Sequence, residues 1–213
     1  MIQRISIVIV LIFYVIATYG QETKFEQVVQ DYEAVIQKLD SVAKITRTIR
    51  SDFVQTKHLT VLEEDIVSKG KFIFSKPSNI KWSYLEPYIY QISFIDSKLT
   101  INNDGKVTEH DANSNEIFSE INNIISGMIN GSIMSSPMFN VTMLQNNKQY
   151  LVELEPKNNE FKRFINRIKL YLGKDDFMVS QIVMEESADD YTEITFQNRK
   201  INTPVSDSDI IIN

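Results

Sequence analysis

A chain of 213 residues with 43% hydrophobic and 10% aromatic content can bury one substantial core and is too apolar to stay disordered. Acidic residues (28) outnumber basic ones (22) for a net charge of −6, and both signs are interspersed, so there is no concentrated basic face for nucleic acid or anionic headgroups. Six glycines without phosphate-loop spacing and the absence of cysteine exclude a phosphate cradle, disulfides and thiol chemistry.

The first predicted element is a signal peptide over residues 1–20. Arg4 precedes an apolar stretch from Ile5 to about Ala17, shorter than the roughly 20 residues that span a bilayer, and small residues stand at Thr18 and Gly20 before Gln21. The remainder, 21–213, is expected to be one domain. With no cysteine to open its mature end, the chain cannot carry a covalently attached lipid, so any lipid is handled non-covalently.

From Gln21 the apolar residues Phe25, Val28, Val29, Tyr32, Val35, Ile36, Leu39 and Val42 recur at spacings of three and four, which predicts a helix over about 22–46. The period then shortens to two. Strands are expected at Phe53–Thr56, Gly70–Phe74 and Ile80–Tyr84, the last bracketed by Pro77 and Pro87. Tyr88–Ile95 continues the series, and Leu99–Ile101 leads through the tight turn Asn103-Asp104-Gly105 into Lys106–His110.

A second one-faced helix is predicted over about 115–130, with Ile117, Ile121, Ile124, Ile125 and Met128 on its apolar side. Glycine and serine surround it, as suits a movable lid. Five more strands follow at Phe139–Leu144, Tyr150–Leu154, Ile165–Leu172, Phe177–Glu185 and Tyr191–Phe196. About ten short sequential strands and two amphipathic helices describe a strongly curved antiparallel sheet or open barrel, with the helices on its inner face.

Candidate catalytic groups are few. His58 and His110 read as solvated histidines in polar turns, without a second ligand at metal spacing. The acidic runs Glu63-Glu64-Asp65, Glu185-Glu186 and Asp189-Asp190 read as solvating charges. The expectation is a protein that is not an enzyme and uses no cofactor and no metal.

Two stretches carry a family likeness. Phe53-x-Gln55, then Gly70-x-Phe72-x-Phe74-x-Lys76-Pro77, then Ile80-Lys81-Trp82-Ser83-Tyr84, resembles the signature of the bacterial outer-membrane lipoprotein carrier family. Ile194-Thr195-Phe196-x-Asn198-x-Lys200-x-Asn202, with the tail Ile210–Ile212, resembles that family's closing strands. The resemblance implies an incomplete, strongly curved antiparallel β-barrel closed by a helical lid, with acyl chains held between the two.

On that basis Phe53, Phe72, Phe74, Ile80, Trp82, Tyr84, Ile92 and Phe94 are the candidate apolar-cavity residues, and the five apolar residues of the second helix form the lid. Lys76 stands where the family has an arginine tied to lid closure and transfer; lysine keeps the charge and loses the planar donor fork. The resemblance implies a monomeric periplasmic carrier that takes acylated lipoproteins from an inner-membrane ABC exporter and passes them to an outer-membrane acceptor. Fold does not fix a ligand, so another lipid or a polyene in the same cavity stays open. So does a ligand-free exported interaction domain in which Phe72, Phe74, Trp82 and Tyr84 form a filled core. Ile80→Glu and Trp82→Glu are expected to weaken acyl binding while leaving the protein soluble.

Overall fold

The computed structural model describes residues 24–25, 27–111, 124–129, 131–186 and 189–212. Along the chain come β1 (Gln27–Val28), α1 (Tyr32–Ile45), β2 (Thr48–His58), β3 (Ile66–Ser75), β4 (Asn79–Glu86), β5 (Tyr90–Ile95), β6 (Lys98–Asn103) and β7 (Lys106–Asp111). The helical residues 124–129 form α2, followed by a 3-10 turn at Ser132–Ser135. Then follow β8 (Phe139–Gln145), β9 (Gln149–Pro156), α3 (Asn159–Lys162), β10 (Arg167–Gly173), β11 (Val179–Glu185), β12 (Tyr191–Ile201) and α4 (Asp207–Ile210).

All the described strands join one antiparallel sheet in the order β1-β8-β9-β10-β11-β12-β2-β3-β4-β5-β6-β7. The outermost strands, β1 and β7, are not paired with each other, so the barrel is incomplete. Alternation sorts side chains between its faces. In β10, Ile168, Leu170 and Leu172 are buried, while Arg167 on the opposite face reaches Glu155 (2.8 Å) and Lys169 reaches Glu185 (2.5 Å).

Two apolar cores line the inner face. One gathers Leu154, Ile168 and Leu170 of the C-terminal strands around Val35 and Leu39 of α1 and Ile124 of α2. The other gathers Ile49, Phe53, Phe72, Phe74, Ile80, Phe94 and Leu99, with Ile125 and Ile129 of α2 packed on it. Helix α2 thus bridges the two.

Several expectations need correction. The first helix begins at Tyr32 rather than near residue 22, because Asp31 caps it by accepting the Ala34 N–H at 3.1 Å. Upstream, Gln27 and Val28 pair with Gln145 and Leu144 at the free edge of β8, and the Val29 N–H donates to the Met143 carbonyl at 3.1 Å. A three-and-four spacing over so short a stretch does not separate a helix from a strand, and the open edge decided it.

There are twelve strands in the described residues rather than about ten. His58 and His110 lie in strands β2 and β7 rather than in turns, with His58 Nδ1 2.7 Å from Asp65 Oδ1. Phe177 stands in a turn ahead of β11 instead of opening that strand. The proposed signal peptide, Ile117 and Ile121 lie outside the described residues.

The C-terminal tail is docked rather than free. Asp209 accepts from Arg50 Nη2 (2.7 Å) and from the Ser206 N–H and hydroxyl (2.8 and 2.7 Å). It thereby holds α4 so that Ile210 and Ile212 are buried. The Arg50 hydrogen bond first, then those from Ser206, hold the Asp209 carboxyl well below its ordinary range. A depressed folded value contributes stability above the unfolded pKa and loses it as pH falls. The hold on the tail is therefore expected to weaken progressively as pH falls below about 4, read as a shift of the Ile210 and Ile212 methyl resonances before global acid unfolding. Methyls that stay native to the global transition would show the carboxylate is dispensable.

Candidate functional site

The register of β2 to β6 explains the spacing of the Phe-x-Gln and Gly-x-Phe-x-Phe segments. Pairing aligns Ile49, Phe74, Ile80, Phe94 and Leu99 in one row across five strands, and Ser51, Phe72, Trp82, Ile92 and Ile101 in the next. A third row places Phe53, Gly70, Tyr84 and Tyr90 side by side. These rows share the inner face, because directly opposed residues of neighbouring strands point the same way.

The rows do different jobs. Every member of the first is buried; Phe74, Ile80, Phe94 and Leu99 are filled core, and Ile49 at the end of the row borders the void. In the third, Phe53 packs against Trp82 and Tyr84 (ring centroids 4.7 and 5.2 Å), and the Tyr84 hydroxyl donates to Gln55 Oε1 at 2.8 Å. Burial pushes the Tyr84 hydroxyl up to about 12, so it stays a neutral donor. The middle row is where packing is incomplete. Small Ser51 stands beside Phe72, and its hydroxyl is turned away to the Gln197 carbonyl at 2.7 Å.

Over that gap lies an apolar cavity of about 90 Å³. The sheet contributes Ile49, Ser51, Phe72, Trp82, Ile182 and Phe196. Leu39, Val42 and Ala43 of α1 and Ile125, Met128 and Ile129 of α2 form its helical side. The turn before β11 supplies Phe177 and Met178, and Arg199 is the one charged lining residue.

Of the eight candidate cavity residues, the structure therefore brings Phe72 and Trp82 to the void. It places Phe53, Phe74, Ile80 and Phe94 in the filled core, with Tyr84 and Ile92 packed against it. Of the described lid residues, Ile125 and Met128 line the void, whereas Ile124 turns to the neighbouring core. The one-faced pattern of the first helix placed it over the inner face of the sheet, whereas the contribution of the β10–β11 turn and of Arg199 was not visible in the sequence. Only the bulge between Gln197 and Lys200 steps Arg199 out of the ladder towards the void.

The family motifs also fasten α1. Lys76 Nζ donates to the carbonyls of Ala43 (2.8 Å) and Lys44 (3.0 Å). Thr46 donates to Val42 through its N–H (3.0 Å) and hydroxyl (2.8 Å). Asn202 Nδ2 donates to Ile45 at 3.0 Å while its Oδ1 accepts the Arg47 N–H at 2.7 Å. The carbonyls of Ala43, Lys44 and Ile45, normally without a partner at a helix end, are thereby held. Asn202 works from φ 57°, a left-handed conformation that asparagine tolerates better than most residues.

Lys76 is exposed, so its part in this clamp is modest. Lys76→Met is expected to lower stability by about 1 kcal/mol and to speed amide exchange in the last turn of α1 by about tenfold. Unchanged exchange would assign the clamp to Thr46 and Asn202 alone.

Among the described residues no cluster of three or more His, Asp and Glu side chains could hold a metal, and no helix is long and apolar enough to cross a membrane. The sequence profile of the outer membrane lipoprotein carrier protein LolA matches residues 44–209. No curated protein matches the sequence.

Among solved structures, a conserved protein from Thermus thermophilus is similar at 6% identity and TM-score 0.52, covering 85% of this chain and 93% of its own. MucB from Pseudomonas aeruginosa, solved in complex with MucA, is similar at 9% identity and TM-score 0.52; 86% of this chain matches 61% of that one. A LolA superfamily protein from Nitrosomonas europaea aligns over 84% of this chain and 97% of its own at 10% identity and TM-score 0.46. These likenesses are of fold, while the profile spans most of the sequence. The chain belongs to the outer membrane lipoprotein carrier protein LolA family.

Proposed function

We propose that this protein is a periplasmic carrier that holds the acyl chains of lipoproteins between its helices and the inner face of its sheet, moving them from the inner to the outer membrane. The observation that carries the reading is the void between two otherwise filled cores, roofed by helices rather than by strands. In this conformation it has room for about three water molecules at ~30 Å³ each. That is far less than a membrane acyl chain needs, so loading requires the helical side to move away.

The architecture suits such movement. The sheet is bound by continuous ladders, whereas α1 and α2 meet it mainly through side chains. Hiding an acyl chain returns about 0.8 kcal/mol per methylene, enough to offset the opening of that contact. Residues 1–20 as a signal peptide would deliver the domain 21–213 to the periplasm. An ABC exporter would load it and an outer-membrane acceptor unload it, with affinity differences between successive apolar sites driving transfer without covalent chemistry.

The test is native mass spectrometry of residues 21–213 titrated with a triacylated lipopeptide and its non-acylated counterpart. One-to-one binding of the acylated form alone is expected. Equal binding of both, or of neither, would overturn the reading.

A further inference from the structure

The apolar cavity meets a second void at a single residue. A groove of about 940 Å³ lies beside β1 and the first turns of α1, with Val29, Val35 and Tyr150 among its apolar lining and Gln30, Asp31 and Lys38 among its polar lining. Among the described residues, Phe177 alone lines both groove and cavity.

Phe177 occupies the turn between β10 and β11 at φ 56°. A bulky aromatic residue adopts that left-handed region only where its surroundings hold it there. Three contacts do so. The Phe177 N–H donates to the Gly173 carbonyl at 2.9 Å, the Met178 N–H donates to Asp176 Oδ1 at 3.0 Å, and the Phe177 ring lies 5.8 Å from that of Tyr150. Arg199, stepped out of β12 by its bulge, spans the turn. Its Nη1 donates to the Val179 carbonyl at 2.7 Å and its Nη2 to Asp176 Oδ2 at 2.5 Å.

We propose that the β10–β11 turn is the portal through which an acyl chain passes from the groove into the cavity, with Phe177 as its gate and the Asp176–Arg199 pair as its latch. The proposal rests on the carrier reading and assigns the groove as the first site an acyl chain occupies. The geometry suits an opening gate in two respects. Swinging Phe177 out of the left-handed region relieves backbone strain, which lowers the cost of the open state. The ion pair that opposes this is partly solvated, at 22% and 48% side-chain exposure, and such pairs are weak and screened by salt. The acyl chain then replaces the Phe177 ring against Tyr150 and the cavity wall.

Trp82 is the chain's single tryptophan and lines the cavity, so it reports arrival there. The experiment is stopped-flow quenching of Trp82 in residues 21–213 by a triacylated lipopeptide with brominated acyl chains. Phe177→Gly removes the plug and suits the turn, and is expected to raise both arrival and release rates about tenfold.

Asp176→Asn keeps the Met178 hydrogen bond and deletes the charge. It is expected to accelerate arrival likewise and to abolish the acceleration that salt produces in the wild-type protein. If Phe177→Gly binds more weakly through faster release alone, Phe177 is only a wall contact and the portal is wrong. Arrival rates insensitive to both Asp176→Asn and salt would remove the latch. Absence of any uptake by the wild-type protein would instead sink the carrier reading, and the portal with it.

Discussion

Replacing Gly70 with alanine is expected to destabilise the protein by about 3 kcal/mol or more, read as a fall in the urea midpoint at unchanged m-value. A Cβ at this position would overlap the Ser83 carbonyl oxygen and stand 2.6 Å from Phe53 Cζ. Neither neighbour has somewhere to go. Ser83 belongs to β4, whose register with β3 shifts between Lys69 and Gly70, and moving its carbonyl would disturb that ladder. Phe53 is 1% exposed and wedged against Trp82 and Tyr84. An aromatic ring laid over a strand glycine supplies the packing that the glycine lacks, so the pair is built as a unit and the methyl has no space. A midpoint within error of wild type would mean that β3 and β4 slide freely here, contrary to the packing.

Ile80→Glu should be more damaging than expected from the sequence. Placed as a cavity residue, it was expected to accept a carboxylate with weaker acyl binding and a protein that stays soluble. The structure instead places Ile80 at 2% exposure, between Phe74 and Phe94 in the filled row. Removing that side chain forfeits about 2–5 kcal/mol, and a carboxylate buried there without a partner costs several more or must remain protonated. The sum is comparable to the whole stability of a domain, roughly 5–15 kcal/mol.

The variant is therefore expected to lack a cooperative thermal transition. Ile125→Glu, on the helical side of the cavity and only partly buried, is expected to melt normally and to bind acylated lipopeptide at least about tenfold more weakly. Trp82→Glu belongs with Ile125→Glu in binding, because Trp82 faces the void, but with a lowered melting temperature because it also packs on Phe53 and Phe72. An Ile80→Glu protein that melts cooperatively within a few degrees of wild type would show that its row is not core.

Much of the architecture was legible from local pattern. The alternation in Ile80-Lys81-Trp82-Ser83-Tyr84 put the right three side chains on the inner face. Asn103-Asp104-Gly105 marked a real hairpin, with Asp104 and Gly105 both at positive φ. Phe-x-Gln and Gly-x-Phe-x-Phe, singled out in the sequence only for their family likeness, meet across β2 and β3, with Phe53 over Gly70. The resemblance tied Lys76 to lid closure and transfer and gave Asn202 no role beyond the closing strands. Lys76 and Asn202 act together on the end of α1, and a partnership between positions so far apart leaves no periodic trace.

Within a strand, periodicity tells which face a residue occupies but not whether that face is filled. Phe74, Ile80 and Phe94 are indistinguishable in pattern from Phe72 and Trp82, yet the first three are sealed and the other two border a void. The difference comes from cross-strand register, which sets small Ser51 beside Phe72, and from where the helices come down. The start of α1 was misplaced for a related reason: an unpaired edge of β8, made from residues more than a hundred positions away, captured Gln27 and Val28.

By itself, then, the sequence determined the antiparallel curved architecture, the inner face of the Ile80–Tyr84 strand, the one-sided helices and the exclusion of thiol and phosphate-loop chemistry. All of these follow from composition and from periods of 2 and 3.6, which are local properties. Only the tertiary structure decided where the core stops and the cavity begins, which charged side chain reaches it, and that Phe177 stands between two voids. These depend on register, a bulge and the docking of helices against distant strands, and on the volume left when those parts meet.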